Sequence, residues 1–285
     1  MMFLYKSNSK KNVIIRKLYD SYGYKFIEDL SLGCCKNCIV KVEDSIGNFY
    51  VIKISENFER YLTEVNCYHK LIGKKNVVNF IENFEMLIDI NNSALKVFVI
   101  VLPFYLCLGK SIADGVRYNL ENILDGIIRI TNGVKSCHES SILHLDLKLF
   151  NIFYDENDIY VGDFDGSCLL ENMTYVSNYK TYSLLYASPE VFEEKNKVDI
   201  RSDIYSIGII MYEWITGNVP FMDEIKEITY ENVLEIIHRR KTNAFKVLNI
   251  PISLYEIIKK CCYADSSKRY SCCDELLSDL QKIKY

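Results

Sequence analysis

Hydrophobic and polar positions divide the chain into two parts. In the first, from residue 26 to about 101, apolar runs with strand character alternate with turn signals, and residues 38–42 and 49–54 predict a hairpin around the turn at 45–48. One helix interrupts these strands, because apolar residues recur at helical spacing from Leu62 until Gly73 ends the pattern. This part is therefore predicted to be a small sheet with one helix.

The second part of the chain is predicted to be mainly helical. After Pro103, apolar residues from Ile123 to Cys137 form a single stripe at helical spacing. A sheet-rich lobe at about residues 22–103, joined to a helical lobe at about 104–285 by one short connection, leaves a cleft between the lobes, where ligands usually bind. This pattern alone is compatible with a single α+β domain over residues 1–285 and with two small domains. Further helical patterns cover residues 202–216, 230–240, 252–262 and 273–283.

Composition excludes several classes of protein. Of the 285 residues, 49% are hydrophobic and 25% charged, which is ordinary for a folded domain. The formal net charge is -4 and Lys and Arg form no long run, so we expect no nucleic-acid binding. The longest apolar run, residues 97–108, contains Pro103 and is shorter than the ~20 residues of a membrane span, so no membrane insertion is expected. The first residues lack the pattern of a secretory signal, which favours an intracellular, cytoplasmic protein.

The cysteines do not change that expectation. The chain has 11 of them, and cytosolic proteins use cysteine as a small buried hydrophobe. Cys35 and Cys38 form a C-x-x-C, which is half of a zinc site or a redox pair. A closed zinc site needs two more ligands, and the other adjacent pairs begin far along the chain, at Cys261 and Cys272. Packing or turn roles are therefore favoured for the C-x-x-C pair.

The densest chemical signal is the segment HLDLKLFN at residues 144–151, followed by Asp163 in VGDFDGS. This arrangement resembles the protein kinase family, whose catalytic loop is H-R-D-L-x-x-x-N and whose metal motif is D-F-G. The resemblance covers nearly the whole chain, in the family's order. Residues 51–53 (VIK) resemble part of V-A-I-K, Glu64 follows on the predicted helix, and residues 188–190 (SPE) resemble A-P-E.

Two structural markers support the same resemblance. Asp203 in RSDIYSIG resembles the aspartate of the family's central helix, and Arg269 in SSKRYS resembles the arginine that pairs with the A-P-E glutamate. The resemblance implies a bilobal α+β protein-kinase-like fold, with an N-terminal antiparallel sheet lobe carrying one helix and a mainly helical C-terminal lobe. It also implies ATP and Mg2+ as cofactors and a protein as substrate. The sequence carries no signature of oligomeric state.

The resemblance assigns roles in phosphoryl transfer, which demands positioning and charge neutralisation. Lys53, oriented by Glu64, is expected to hold the α- and β-phosphates. Glu59 competes with Glu64 for this assignment, since both fall on the same predicted helix. Asp146 is expected to accept the proton of the substrate hydroxyl. Taken alone, Lys53 is compatible with a solvated strand lysine, but its apolar neighbours favour the assigned role. Asp146 alone is compatible with a helix cap or a turn, and Glu64 with a surface glutamate.

The remaining site residues concern the metal, the γ-phosphate and the adenine. Asn151 and Asp163 are expected to hold magnesium through oxygen ligands. Lys148 resembles the lysine that serine/threonine kinases place against the γ-phosphate. For the nucleotide we expect contacts from Gly33, Val40, Leu102 and Phe104, with Leu102 at the position that resembles the gatekeeper.

The glycine loop is the largest departure from the family. Its G-x-G-x-x-G pattern appears here as residues 33–38 (GCCKNC), so that only Gly33 remains. Glycine lets backbone N–H groups approach phosphate without interference from a Cβ, and cysteine does not. This departure predicts weak ATP affinity.

Two further departures concern the metal motif and the catalytic loop. Asp165 replaces the glycine of D-F-G, and we expect it to tolerate a left-handed backbone there. Leu145 replaces the arginine of H-R-D, which in the family often pairs with a phosphorylated activation segment. Without that cation, phosphorylation at Tyr179, Thr181, Tyr182 or Ser183 is expected to add little.

The sequence supports one main hypothesis and two alternatives. The main hypothesis is an active serine/threonine protein kinase. The first alternative is a pseudokinase that acts as a binding or regulatory module, and it is motivated by the lost glycines and Asp165. The second is a small-molecule phosphotransferase, which Asp203, Arg269 and the SPE segment disfavour.

Overall fold

The computed structural model describes residues 10–31, 38–170, 185–192, 198–220, 230–242 and 249–283. These residues form two compact units. Unit 1 consists of the described parts of Met1–Ile72 with Val78–Phe104, and unit 2 of Gly73–Val77 with the described parts of Tyr105–Tyr285. The segment Gly73–Val77 belongs to unit 2, where Val77 forms a parallel bridge with Val161.

Unit 1 is built on a five-stranded antiparallel sheet with the order β1-β2-β3-β5-β4. Strands β2 and β3 form the predicted hairpin, in which Cys38 pairs with Ile54 and Glu43 with Phe49. Asp44 closes the turn by accepting from the backbone N–H groups of Ile46 and Asn48 at 2.9 Å. The strands are β1 (Lys25–Asp29), β2 (Cys38–Glu43), β3 (Phe49–Ser55), β4 (Glu82–Ile90) and β5 (Ser93–Pro103).

Unit 1 has two helices, α1 (Lys10–Tyr22) and α2 (Phe58–Leu71), whereas the sequence predicted one. The missed helix α1 packs on the sheet through Ile14 and Leu18, which are four residues apart and therefore share one face. Gly23, at φ 75°, follows its last residue. This i, i+4 pair with a following glycine is the signal that predicts α1.

Unit 2 is mainly helical, as predicted. The stripe after Pro103 lies on the long helix α4, and α5 begins two residues before the predicted start because Asp199 caps it by accepting from Arg201 N at 2.9 Å. The last helix ends at Leu280 rather than at residue 283. The helices are α3 (Leu108–Ala113), α4 (Leu120–Glu139), α5 (Ile200–Thr216), α6 (Tyr230–Lys241), α7 (Ile252–Cys261) and α8 (Cys273–Leu280).

Unit 2 also contains short β-strands between its helices. Strands β6, β8 and β9 form one antiparallel sheet and β7 pairs with β10. Single 3-10 turns cover Leu149–Asn151, Pro189–Phe192 and Ser266–Lys268. The strands are β6 (Leu106–Cys107), β7 (Ile142–Leu143), β8 (Ile152–Tyr154), β9 (Ile159–Val161) and β10 (Cys168–Leu169).

The core of unit 2 lies around α4 and α5, with Ile127, Ile130 and Ile207 fully buried. Gly133 of α4 permits a close backbone approach, since a Cβ there would lie 2.2 Å from the carbonyl oxygen of Asn76. The segment Gly73–Val77 therefore rests directly on this helix. No helix among the described residues is both long and apolar enough to cross a membrane.

Candidate active site

Lys53 and Glu64 form a buried ion pair within unit 1. Lys53 Nζ lies 2.5 Å from Glu64 Oε1, and the two side chains are only 8% and 4% exposed. Lys53 comes from β3 and Glu64 from α2, which begins after Asn57, whose side chain accepts from Arg60 N. Glu59, the competing candidate, lies exposed in the first turn of the same helix.

The strand register decides which side chains share the face of Lys53. Side chains alternate between faces, so residues paired directly across the sheet lie on one face. Lys53 pairs with Ile39 and Ile100, while Val51, two residues before it, pairs with Leu102. Leu102 therefore lies on the Lys53 face.

Val40 does not share that face, and its role as a nucleotide contact stays a prediction. Val40 pairs with Ile52, which points away from the Lys53 face, and it is 0% exposed in the cluster that contains Ile14 and Leu18. Motif spacing does not state the face of a strand residue, because a one-residue change of register moves every side chain of a strand to the other face. Ile39 is the β2 residue opposite Lys53.

Phe104, at the end of unit 1, is held by two contacts. Its backbone N–H donates to the carbonyl oxygen of Phe49 at 3.2 Å. Lys41 Nζ lies 3.7 Å from the centroid of the Phe104 ring and 4.5 Å from that of Phe49, which are cation–π distances. Gly33, with Cys34 to Lys36, lies outside the described residues.

The catalytic-loop candidates converge within unit 2. Asp146 is 9% exposed, and its Oδ2 accepts from Lys148 Nζ at 2.9 Å and from Asn151 Nδ2 at 3.1 Å. Asn151 Nδ2 also donates to the carbonyl oxygen of Asp146 at 2.8 Å. A carboxylate held by an ammonium and an amide has a fixed orientation, which a positioned proton acceptor requires.

The two metal-ligand candidates lie at the same end of the β8–β9 pair. Ile152 pairs with Val161, and the backbone N–H of Gly162 donates to the carbonyl oxygen of Asn151 at 3.1 Å. Asp163 follows directly, at φ 65°. Because Asn151 donates through its amide nitrogen, its side-chain oxygen is the atom suited to a cation, and Asp163 supplies carboxylate oxygens. This donor set fits the hard oxygen ligands that Mg2+ prefers.

Asp203 fixes the backbone of the catalytic loop, residues 144–151, at its start. Its carboxylate accepts from the backbone N–H groups of His144 at 2.9 Å and Leu145 at 2.8 Å, and from His138 Nε2 at 2.8 Å. Complete burial alone raises the pKa of Asp203, but these hydrogen bonds and the nearby histidines outweigh burial and hold the pKa below its usual value. Asp203 therefore remains ionised in the core.

The left-handed backbone positions differ from the prediction. Leu145, at φ 60°, and Asp163 adopt positive φ, whereas Asp165 does not. Leu145 tolerates this conformation because its N–H is bonded to Asp203, and its side chain packs with Leu143 and Ala187. The predicted phosphorylation sites, residues 179 to 183, lie outside the described residues.

Glu190 of the SPE segment and Arg269 form a second buried pair. The two guanidinium nitrogens lie 2.6 Å and 2.7 Å from the two carboxylate oxygens, a bidentate arrangement. Burial raises the pKa of Glu190, but the bonds from Arg269 outweigh it and the net pKa is lowered. Ser202 donates to the same carboxylate at 2.8 Å.

Sequence reasoning missed a partly buried carboxylate, Glu213 on α5. Tyr186 donates its hydroxyl to Glu213 at 2.8 Å. Burial raises the pKa of Glu213 to about 7, and the bond from Tyr186 offsets this only in part. Its signal is a glutamate within an otherwise apolar stretch of helix, MYEWI. Within the described part of the chain, no group of three or more His, Cys, Asp and Glu side chains is arranged to hold a metal.

Comparison with known proteins identifies the family. The family model described as a protein kinase domain matches residues 31–280. The chain belongs to the protein kinase family. The predicted fold class is thereby confirmed, with the antiparallel sheet in unit 1, the helices in unit 2, and α1 as an addition outside the matched region.

Relatives of this kinase domain are named protein kinases, several of them serine/threonine-protein kinases. A probable serine/threonine-protein kinase of Clostridium perfringens is 34% identical over 161 residues, which is 55% of this chain and 23% of the relative. A probable KIN1 homolog of Enterocytozoon bieneusi is 26% identical, covering 75% of this chain and 36% of the relative. Calcium-dependent protein kinase 22 of Arabidopsis thaliana is 28% identical, covering 78% and 46%. The chain thus spans less than half the length of these three relatives.

Proposed function

We propose that this kinase domain transfers the γ-phosphoryl group of ATP to serine or threonine hydroxyls of protein substrates. The observation that carries the proposal is the arrangement around Asp146, whose carboxylate is held by both Lys148 and Asn151. Three residues at the family's motif positions thus form one hydrogen-bonded group. The names of the relatives support the serine/threonine class.

In this proposal each side chain has one task. Asp146 accepts the proton of the substrate hydroxyl while the oxygen of that hydroxyl bonds to the γ-phosphorus. The bond between the γ-phosphorus and the β-γ bridging oxygen breaks, and ADP is released. Lys148 neutralises charge on the transferred group, and Lys53, oriented by Glu64, neutralises the α- and β-phosphates. Magnesium, when bound by Asn151 and Asp163, supplies further charge neutralisation.

Protein substrates and an intracellular location belong to the same proposal. The Glu190–Arg269 pair supports protein rather than small-molecule substrates, because this pair matches the protein-kinase pattern of the helical lobe. Cys38, Cys168 and Cys261 are thiols, and burial raises the pKa of each. Such thiols suit a reducing compartment.

The pseudokinase remains the second candidate. Cysteines replace two glycines of the loop pattern, at residues 35 and 38, and Asp165 adds a negative charge beside Asp163. Both changes oppose binding of a triphosphate. In this alternative the chain binds a partner, or a nucleotide without turnover.

A comparison of Asp146→Asn with the unmodified chain tests the proposal. With ATP labelled at the γ-phosphate and a generic protein substrate, the variant should incorporate at least about 100-fold less label. Asp114→Asn, an exposed change on the surface of unit 2, is the matched control. Label should appear on serine and threonine and not on tyrosine. Equal background incorporation in all three proteins would refute the proposal that the chain is an active kinase.

A second measurement separates turnover from binding. Magnesium ATP should raise the melting temperature of the unmodified chain, because a ligand that binds the folded state stabilises it by mass action. Asp163→Asn should remove the part of the shift that depends on magnesium. A shift without any turnover would support the pseudokinase.

A further inference from the structure

Helix α1 lies outside the region that matches the family, residues 31–280, yet it shares an apolar core with the strand that carries Lys53. Ile14 is 2% and Leu18 1% exposed, and they pack in one cluster with Ile52 and Ile54. These two β3 residues flank Lys53 in sequence and point to the opposite face of the sheet. Helix α1 therefore packs against β3 on the face of the sheet opposite Lys53.

The first residues of α1 form ion pairs with two segments of unit 1. Lys10 pairs with Glu56, which immediately precedes the N-cap of α2, Asn57. Lys11 pairs with Asp29, the last residue of β1. One pair thus reaches the start of the helix that carries Glu64, and the other reaches the strand that leads to the glycine loop.

Two lysines in a first turn are unfavourable for the helix itself. The N-terminal end of a helix carries partial positive charge and favours acidic residues, and α1 has none in its first described turn. The partners outside the helix supply the compensating charge. A local preference that is broken and compensated by specific long-range contacts is typical of functional positions.

The other end of α1 is also fixed. Tyr22 stacks on Phe84 of β4 with ring centroids 4.3 Å apart. Just beyond the helix, Tyr24 donates its hydroxyl to Glu82 at 3.1 Å. Contacts at both ends and apolar burial between them hold α1 in one position on the sheet.

We propose that α1 is a clamp that positions Glu64 against Lys53, with Lys10 as a positioning residue. The apolar stripe of α1 fixes β3 and hence Lys53, while Lys10 fixes the start of α2 and hence Glu64, two turns later. Both members of the ion pair are thus aligned to the same helix. The effect on ATP use rests on the proposed function, whereas the effect on α2 does not.

Charge reversal at Lys10 tests the clamp with little risk to folding, since Lys10 and Glu56 are 40% and 50% exposed. In Lys10→Glu, hydrogen exchange at residues 58–64 should become about 3-fold faster, the scale of an exposed ion pair. The double variant Lys10→Glu with Glu56→Lys should restore the original rate. Lys17→Glu, an exposed change on the same helix, is the matched control and should leave α2 unchanged.

Steady-state kinetics provide the second measurement. Lys10→Glu should raise KM for ATP about 3-fold and leave KM for the protein substrate unchanged, and the charge swap should restore KM for ATP. A purely structural role would instead lower the apparent kcat, through loss of folded protein, and leave both KM values unchanged. Faster exchange in α2 with an unchanged KM for ATP would overturn the positioning role.

The two proposals fail in different ways. If the unmodified chain shows neither turnover nor a nucleotide-dependent thermal shift, the proposed function fails, and the hydrogen exchange alone decides whether α1 aligns α2. If exchange at residues 58–64 is the same in Lys10→Glu and the unmodified chain, or changes equally in Lys17→Glu, the clamp is refuted whatever the activity.

Discussion

Asp203 accepts the backbone N–H of Leu145 at 2.8 Å, and this bond joins the buried helix α5 to a residue with φ 60°. A leucine in the left-handed region costs roughly 1–2 kcal/mol. The same carboxylate accepts from the N–H of His144, so two consecutive loop amides are fixed just before Asp146. The geometry of the candidate base thus depends on a charge in the core of unit 2.

We therefore expect Asp203→Asn to be strongly destabilising. An amide has one accepting oxygen in place of two, so one of the loop N–H groups or His138 faces an NH2 group. The expected loss is about 3 kcal/mol in the free energy of unfolding, measured by urea denaturation. Asp114→Asn should change it by less than about 0.5 kcal/mol. Equal stabilities of the two variants would contradict this account.

The sequence predicted the ionic contacts of the site better than its backbone. Lys53 with Glu64, and Glu190 with Arg269, were recognisable because fixed motif order reports on side chains that must meet. Positive φ was expected at Asp165 and is found at Asp163. A sequence motif does not specify backbone angles, which depend on hydrogen bonds to residues distant in sequence.

Unit 1 shows the same limit of motif reasoning. The motif does not state which face Val40 takes, since strand register is set by the pairing of β2 with β3. Helix α1 was missed because only Ile14 and Leu18 are buried, so its apolar stripe is short. Its stability comes from packing on the sheet rather than from its own sequence.

Activity of this kinase domain should not depend on phosphorylation of residues 179 to 183. Leu145 packs with Leu143, Ala187 and Val191 in an apolar cluster, so the place of the family's arginine offers no cation to a phosphate. Phosphatase-treated and untreated protein should differ by less than about twofold in kcat/KM, since Leu145 offers no ion pair to a phosphate. Loss of activity on treatment would refute this prediction.

Glu64→Gln should impair ATP use far more than Glu59→Gln does. The first substitution removes the buried carboxylate that orients Lys53, while the second alters an exposed residue on the same helix. We expect kcat/KM for ATP to fall at least about 10-fold in Glu64→Gln, which corresponds to about 1.4 kcal/mol of transition-state stabilisation. Glu59→Gln should remain within about twofold, as surface substitutions generally do.

The two glutamine variants also differ in stability. Removing one member of a buried ion pair leaves the other charge uncompensated, so Glu64→Gln should lower the melting temperature as well. Magnesium ATP should recover less of that loss than it adds to the unmodified chain, because Lys53 is no longer oriented. Identical kinetics of the two variants would show that Glu64 does not orient Lys53.

Glu213 makes stability depend on pH near neutrality. Its pKa is about 7 in the folded protein, because partial burial raises it more than the hydrogen bond from Tyr186 lowers it, and about 4.5 without that burial. A raised carboxyl pKa means that the folded state binds the proton more tightly than the unfolded state does. The contribution of Glu213 to stability therefore falls as pH rises from about 4.5 to 7 and is constant above that range.

Glu213→Gln keeps the shape and removes the titration. Relative to the unmodified chain, this variant should gain stability between pH 5 and pH 8, by on the order of 1–3 kcal/mol after allowance for solvent near the side chain. Melting temperatures at both pH values measure the gain, with Glu256→Gln, an exposed glutamate of α7, as the control. Asp203 and Glu190 have lowered pKa values, so their titration changes stability only at lower pH. Both residues are present in the unmodified chain and in the two variants, so they do not contribute to the difference. If the difference between Glu213→Gln and the unmodified chain is the same at pH 5 and pH 8, Glu213 does not titrate in this range.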